Sequence, residues 1–332
     1  MVNEKECYVP VNAYATGRIL FKIDRERYLP LSPHFWAGLA GLPQVVTVSD
    51  GDRIIYHRND AGVNIGEGQS FTGTIEKLTF DYQEPQLTSC EIGGKPFVFG
   101  HLPIHLQDKQ MAIDLFFPND QNQAHLAIIK TLKTLLLVKD WATLNHCINV
   151  AASAERLAIL YGLSTEFSRD IRLATQLHDV GKLNVPGSIL RKTSPTERQI
   201  MPKDELKVLR AHAAYGARLF SSLKKFWLYQ VIAGNHHEDW SGTGYPSGLK
   251  GTDIPLAPRI VAFVDKFDAM RKKRPYREAM SHFEVVEKMK GKILSQLDPD
   301  IVNTFFENLE VIVGKESTLP SSNNSHKILF NV

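Results

Sequence analysis

The sequence predicts a two-domain protein: a small β-rich (α+β) N-terminal domain over residues 1–118, an all-α helical bundle over 119–314, and a polar tail over 315–332. Three observations carry this. Up to about residue 118, β-branched and aromatic residues come in short runs broken by turn pairs. After Phe117-Pro118-Asn119 the apolar period becomes helical and stays so nearly to the end. The chain of 332 residues is long enough for two cores.

In the first half, the strand signals are GRILFKI (17–23), QVVTVSDGDRIIYH (44–57), TGTIEKLTF (72–80) and SCEIGGKPFVFG (89–100). The second and fourth contain Asp50-Gly51 and Gly93-Gly94, pairs that tolerate positive φ and so favour hairpins. One helix is expected near 32–40. No nucleotide loop, metal spacing or nucleophile motif occurs in this half. In the second half, helices are expected near 120–138, 140–161, 165–180, 203–222, 227–237, 257–272, 281–296 and 298–313. Gly162 and Gly181 are placed to close the second and third of these. Ser281 and Glu284 form a capping box for the seventh.

Composition narrows the function classes. With 43% hydrophobic and 23% charged residues and a formal net charge of +3, the chain is neither disordered nor built for a DNA or RNA polymer. Cys7, Cys90 and Cys147 form no CxxC pair, which suits a reducing, cytoplasmic setting. The most apolar run, AIIKTLKTLLLV (127–138), is broken by Lys130 and Lys133, so no membrane span is expected. The start, MVNEKECYVP, lacks the apolar core of a signal peptide.

Chemistry concentrates in histidines of the helical half: His146, His178, His212, His236 and His237, spread over four expected helices. His178 precedes Asp179, and His237 precedes Glu238. Downstream, IVAFVDKFDAM sets Asp265 and Asp268 three apart in an apolar helix, where an unpartnered charge costs several kcal/mol. Each has a plain reading too. His146 fits a polar face, His212 a satisfied core histidine, and the two aspartates could pair with Lys266 and Arg271. Jointly, nitrogen and oxygen donors without cysteine favour a catalytic iron, manganese or magnesium site over structural zinc.

HDVGK (178–182) with HHE and GYP (236–246) resembles the HD-GYP group of the HD phosphohydrolase superfamily. HAAYGARLF (212–220), the continuous stretch 236–280 and LDPDIVNTF (297–305) are similar to further family segments, so the resemblance covers roughly 130–310. It implies an HD-type all-α bundle that hydrolyses cyclic di-GMP to linear pGpG, or on to GMP, with two divalent ions, iron or manganese. His146, His178, Asp179, His212, His236, His237 and Asp265 look like the ligands. Asp179 would bridge, with His146, His178 and Asp265 on one ion and His212, His236 and His237 on the other. Some members use a glutamate one turn before the first histidine for a third ion; Ala142 stands there, so two are expected.

Beyond the ligands, Asp179 and Lys182 are the expected catalytic pair. Lys182 follows one turn after the bridging carboxylate, where its ammonium can offset charge on the phosphoryl oxygens. Arg274, Arg277, Lys182 and Tyr245 are the expected substrate contacts. Asp268 and Glu238 are expected to support the ligands from behind. The resemblance also implies GGDEF-type diguanylate cyclases as partners through the GYP loop, and leaves a dimer open. VNIGEG (63–68) is similar in letters, not in spacing, to a PilZ-type loop. Three positions depart from the family pattern: Ser241 and Gly187 replace aspartates, and Pro258 replaces an alanine. None removes a ligand. They keep two other readings open: a metal-bound regulatory or interaction module with little turnover, and a phosphohydrolase of another cyclic dinucleotide or a mononucleotide.

Overall fold

A computed structural model of the chain describes residues 6–7, 23–24, 45–50, 53–59, 84–92, 95–106, 109–118, 123–192, 201–271, 285, 289 and 296–313. Strands β1 (Glu6–Cys7) and β2 (Ile23–Asp24) pair antiparallel. β3 (Val45–Asp50), β4 (Arg53–Asn59), β5 (Gln86–Ile92), β6 (Lys95–Leu106) and β7 (Lys109–Pro118) form one antiparallel sheet in the order β4-β3-β7-β6-β5. The two expected hairpins are β3–β4, with a bulge between Val48 and Ser49, and β5–β6. The strand at 72–80, the helix near 32–40, most of 17–23, the 63–68 stretch and the tail lie outside the described residues.

β7, at the centre of the sheet, was not among the expected strands. Its signal was there: Ile113, Leu115 and Phe117 alternate and are buried. β6 also runs beyond residue 100. Its residues 98–104 are buried whichever way they point, so it shows no alternation, and Pro103 argues against a central strand. Pro103 nevertheless pairs with Ala112, and its carbonyl accepts from the Tyr215 hydroxyl of the bundle.

The bundle comprises α1 (Gln123–Lys139), α2 (Trp141–Leu160), α3 (Thr165–Thr175), a 3-10 turn (Val180–Asn184), α4 (Gly187–Leu190), α5 (Lys203–Phe220), α6 (Trp227–Asn235), α7 (Leu256–Arg271), α8 (Pro299–Glu307) and α9 (Leu309–Val313). Asp140 caps α2 by accepting from the amides of Ala142 and Thr143, a device worth about 1 kcal/mol. Gly162, at φ +99°, closes α2 as expected. The single helix expected over 298–313 is broken at Asn308. The 281–296 helix, with Ser281 and Glu284, lies mostly outside the described residues. No described helix is long and apolar enough to cross a membrane.

One expectation is corrected. α3 stops at Thr175, not near 180, and Gly181 does not close it. From Leu177 the amides bond three residues back instead of four (Leu177 to Ala174, His178 to Thr175), which tightens the chain into the 3-10 turn. Gly181 is needed there for room: a Cβ on it would lie 1.8 Å from the His212 carbonyl oxygen.

Sheet and bundle share a hydrophobic core that includes Leu87, Val98, Ile113 and Phe117 with Ile128, Leu132, Leu157, Ile232 and Phe263. Each such side chain contributes about 1.5–3 kcal/mol by leaving water. A polar tie crosses the same seam. The Lys139 ammonium donates to the carbonyls of His105 (2.6 Å) on β6 and of Leu183 (2.5 Å) and Val185 (2.7 Å) beside the 3-10 turn. Lys139→Met should therefore lower unfolding stability by about 2–3 kcal/mol, since these bonds are charge-assisted and the carbonyls lose their donor. An unchanged urea midpoint would refute this.

Candidate metal centre

Three of the histidines are oriented by backbone carbonyls of the helical segments that carry or precede them. His178 follows α3, and its Nδ1 lies 2.8 Å from the Thr175 carbonyl. His212, on α5, places Nδ1 2.5 Å from the Leu209 carbonyl. His236, the residue after α6, places Nδ1 3.0 Å from Ala233 O and 3.1 Å from Ile232 O. A carbonyl can only accept, so Nδ1 carries the proton in all three and Nε2 is left with its lone pair. Those Nε2 atoms point at one carboxylate. Asp179 stands 3.5 Å from His178 Nε2, 3.3 Å from His212 Nε2 and 3.8 Å from His236 Nε2.

Burial then decides what the cluster is for. His178, Asp179, His212 and His236 are 1–2% exposed. His178 Nε2, Asp179 Oδ1, His212 Nε2 and His236 Nε2 are all buried without a hydrogen-bond partner. One such atom costs about 1–3 kcal/mol, and four converging on one point are not tolerated by a packed core without a purpose. Two donor groups share Asp179: Asp179, His212, His236 and His237, and His146, His178 and Asp179, with the donor atoms of each within 4.8 Å of one another. The plain reading of His212 as a satisfied core histidine fails on its Nε2. The chemistry of this set fits divalent cations.

Electrostatics agree. Burial lowers His212 and His236 to about 4, and lowers His178 and His237 as well, so these imidazoles are neutral at pH 7 as metal ligation requires. Burial opposes ionisation of Asp179, but the Lys182 ammonium and then the histidines hold its carboxyl well below the usual range. Lys182 donates to Asp179 Oδ2 at 2.6 Å; burial works against its charge, and that carboxylate more than restores it, raising its pKa.

His146 differs from the others. On α2, it bridges two α7 carboxylates, with Nε2 2.7 Å from Asp265 Oδ1 and Nδ1 2.6 Å from Asp268 Oδ2. Burial opposes its protonation, yet the two carboxylates raise it to about 9. Asp265 is in turn held low, burial being overcome by His146. His146 is thus held protonated between the two carboxylates. Lys266, the cation next to Asp265 in sequence, binds Asp239 at 2.6 Å, while His146 holds both Asp265 and Asp268.

Glu238 is buried, and its carboxylate accepts from the amides of Ser247 (2.7 Å) and Leu249 (3.0 Å). It braces the GYP loop rather than joining either donor group. Gly244 lets the loop fold back on the histidines: a Cβ there would stand 2.3 Å from Asp239 N and 2.6 Å from His237 O. The peptide before Pro246 is cis. The Tyr245 amide bonds to His237 O, and its ring stacks on the His237 ring at 4.7 Å. Ser241 bonds Thr243 at 2.9 Å within the exposed part of the loop. Ala142, one turn before His146, is exposed and offers no ligand. Gly187 begins α4, and Pro258 is buried in the first turn of α7. Arg274 and Arg277 lie outside the described residues.

Sequence reasoning missed the Asp239–Lys266 pair, the room needed at Gly181, and Arg210, whose guanidinium carbon lies 5.1 Å from the Tyr245 ring centroid. No spacing rule flags them, because each acts across elements distant in sequence.

Comparison with known proteins agrees with this geometry. Residues 122–301 match the HD domain family. The chain is 33% identical over 204 residues to 3′3′-cGAMP-specific phosphodiesterase 2 of Vibrio cholerae, covering 60% of this chain and 38% of that protein. It is 34% identical over 185 residues to a cyclic di-GMP phosphodiesterase of Thermotoga maritima, covering 54% and 48%. It is 32% identical over 205 residues to the cyclic di-GMP phosphodiesterase response regulator RpfG of Xanthomonas campestris pv. campestris, covering 60% and 53%. The chain thus spans about half the length, or less, of these relatives. With its His178-Asp179 pair and its Gly244-Tyr245-Pro246 loop, the chain belongs to the HD domain family, in the HD-GYP group.

Proposed function

We propose that this chain is a metal-dependent phosphodiesterase that opens cyclic di-GMP to linear pGpG, with GMP as the product of a second cleavage. The observation that carries it is the convergence of four buried, unpartnered donor atoms around Asp179. Relatives named for cyclic di-GMP and for 3′3′-cGAMP support a cyclic dinucleotide as the substrate class. The ligands are His146, His178 and Asp265 for one ion and His212, His236 and His237 for the other, with Asp179 shared. Two ions, iron or manganese, suit a donor set of imidazoles and carboxylates with no thiolate. The cytoplasm as its location, and diguanylate cyclases as partners of the GYP loop, belong to the same proposal.

When bound, the ions supply Lewis acidity and lower the pKa of the attacking water. The chain does the rest. Backbone carbonyls fix the Nδ1 tautomer of three histidines, and Asp268 holds the His146 ring in place by its Nδ1. Lys182, with its ammonium beside Asp179 and part-exposed, places a positive charge where phosphoryl oxygens gather charge. Because Lys182 is held protonated, it acts as a charge and not as a base.

The test is anaerobic purification, loading with Fe(II) or Mn(II), and incubation with cyclic di-GMP and 3′3′-cGAMP side by side. Linear product from cyclic di-GMP at the higher kcat/KM is expected. Bound metal with no hydrolysis of either would leave the regulatory module with little turnover as the correct reading.

A further inference from the structure

We propose that Arg210 receives the second, non-reacting phosphodiester of the cyclic dinucleotide and so sets specificity for a substrate with two phosphates. This rests on the function proposed above. Arg210 is exposed on α5, two residues before His212. Its guanidinium lies 5.1 Å from the centroid of the Tyr245 ring. That ring stacks on His237 at 4.7 Å, and its centroid is 6.5 Å from that of His212. Arg210 is therefore anchored one aromatic ring away from a donor group of the metal centre.

Its charge is what separates it from its neighbours. Lys182 is paired with Asp179, Lys266 with Asp239, and Arg259 with Asp298. Among the described residues no carboxylate pairs with Arg210. The aromatic contact fixes the cation without committing its N–H donors to an acid, and a guanidinium fork matches phosphate bidentately. The phosphate being cleaved must lie at the shared carboxylate, within reach of Lys182. A cation one ring farther out serves a different phosphate. A cyclic dinucleotide has one to offer, across its ring from the first.

The alternative is that Arg210 only braces Tyr245, and through it His237. Two substrates separate these roles: cyclic di-GMP, with two phosphodiesters, and bis(p-nitrophenyl) phosphate, with one. For metal-loaded R210A, KM for cyclic di-GMP should rise about tenfold or more with kcat within about twofold. Its kcat/KM for bis(p-nitrophenyl) phosphate should stay within about twofold. Affinity of metal-stripped protein for cyclic di-GMP, read by calorimetry, should fall by a similar factor. R210K should recover part of both, as a point charge without the fork. Equal losses on both substrates, or unchanged KM and affinity for cyclic di-GMP, would overturn the assignment while leaving the proposed function intact. If the wild-type protein neither binds nor cleaves cyclic di-GMP, the proposed function fails and this assignment goes with it.

Discussion

Asp179→Ala should strip the protein of both ions, not one. Three Nε2 atoms stand 3.3 to 3.8 Å from this carboxylate, and both donor groups contain it. Without it, one donor group keeps only His212, His236 and His237, and the other only His146 and His178, with Asp265 beside His146. The Lys182 ammonium also loses the carboxylate that balances it, and becomes a net repulsion toward any cation. Elemental analysis should fall from two ions per chain to near zero, and cyclic di-GMP hydrolysis by at least about 10²- to 10³-fold. Far-UV circular dichroism should be unchanged, because the variant removes a small buried side chain and no core packing. A variant that keeps two ions at full occupancy would falsify the shared role. Three ions in the wild-type protein would show that the inference from Ala142 is wrong.

Gly181→Ala should be the most damaging Gly→Ala change among the described residues. The new Cβ would meet His212 O at 1.8 Å, His212 C at 2.7 Å and His212 Cα at 2.9 Å. These are backbone atoms, so no side-chain rotation relieves the contact; the 3-10 turn and α5 have to part. Overpacking of this kind costs about 1–3 kcal/mol and occasionally more, and this case sits at the upper end. Because the strain lands on His212 and on the turn between Asp179 and Lys182, metal occupancy should drop along with the urea midpoint. Gly162→Ala is the control. Its φ of +99° strains any side chain, but no atom lies within 4 Å of the new Cβ, so it should cost about 1 kcal/mol and leave metal content alone. Equal effects of the two substitutions would sink the explanation.

The cluster of imidazoles around Asp179 was legible in the sequence, first as a run of histidines and aspartates and then through the family motifs they match. The family resemblance names its residues at fixed places in the chain, and of these the structure brings His146, His178, Asp179, His212, His236 and His237 into two donor groups that share Asp179. The order of the helices was legible too, from periodicity. Details that depend on what lies opposite were not. Gly181 looks like a helix terminator in the sequence because glycine commonly is one; only the His212 carbonyl above it shows that its role is to vacate space. Glu238 looks like a ligand neighbour until the amides of Ser247 and Leu249 are seen on its oxygens. β6 escaped because residues buried on both faces do not alternate. Arg210 escaped because a cation–π contact has no period at all.

The Lys139 ammonium gives the sheet a mechanical bearing on the catalytic turn. It holds one carbonyl of β6 and two beside the segment carrying Lys182, and His105 Nδ1 and Asn184 Oδ1 lie 3.2 Å apart next to it. A displacement of β6 would therefore pull on the 183–185 segment through this shared ammonium. That segment follows directly on Lys182, whose ammonium donates to Asp179, so one cation ties the strand to the stretch of chain that carries the charged pair. A change at β6 is thereby carried to the Asp179–Lys182 pair through the Lys139 ammonium.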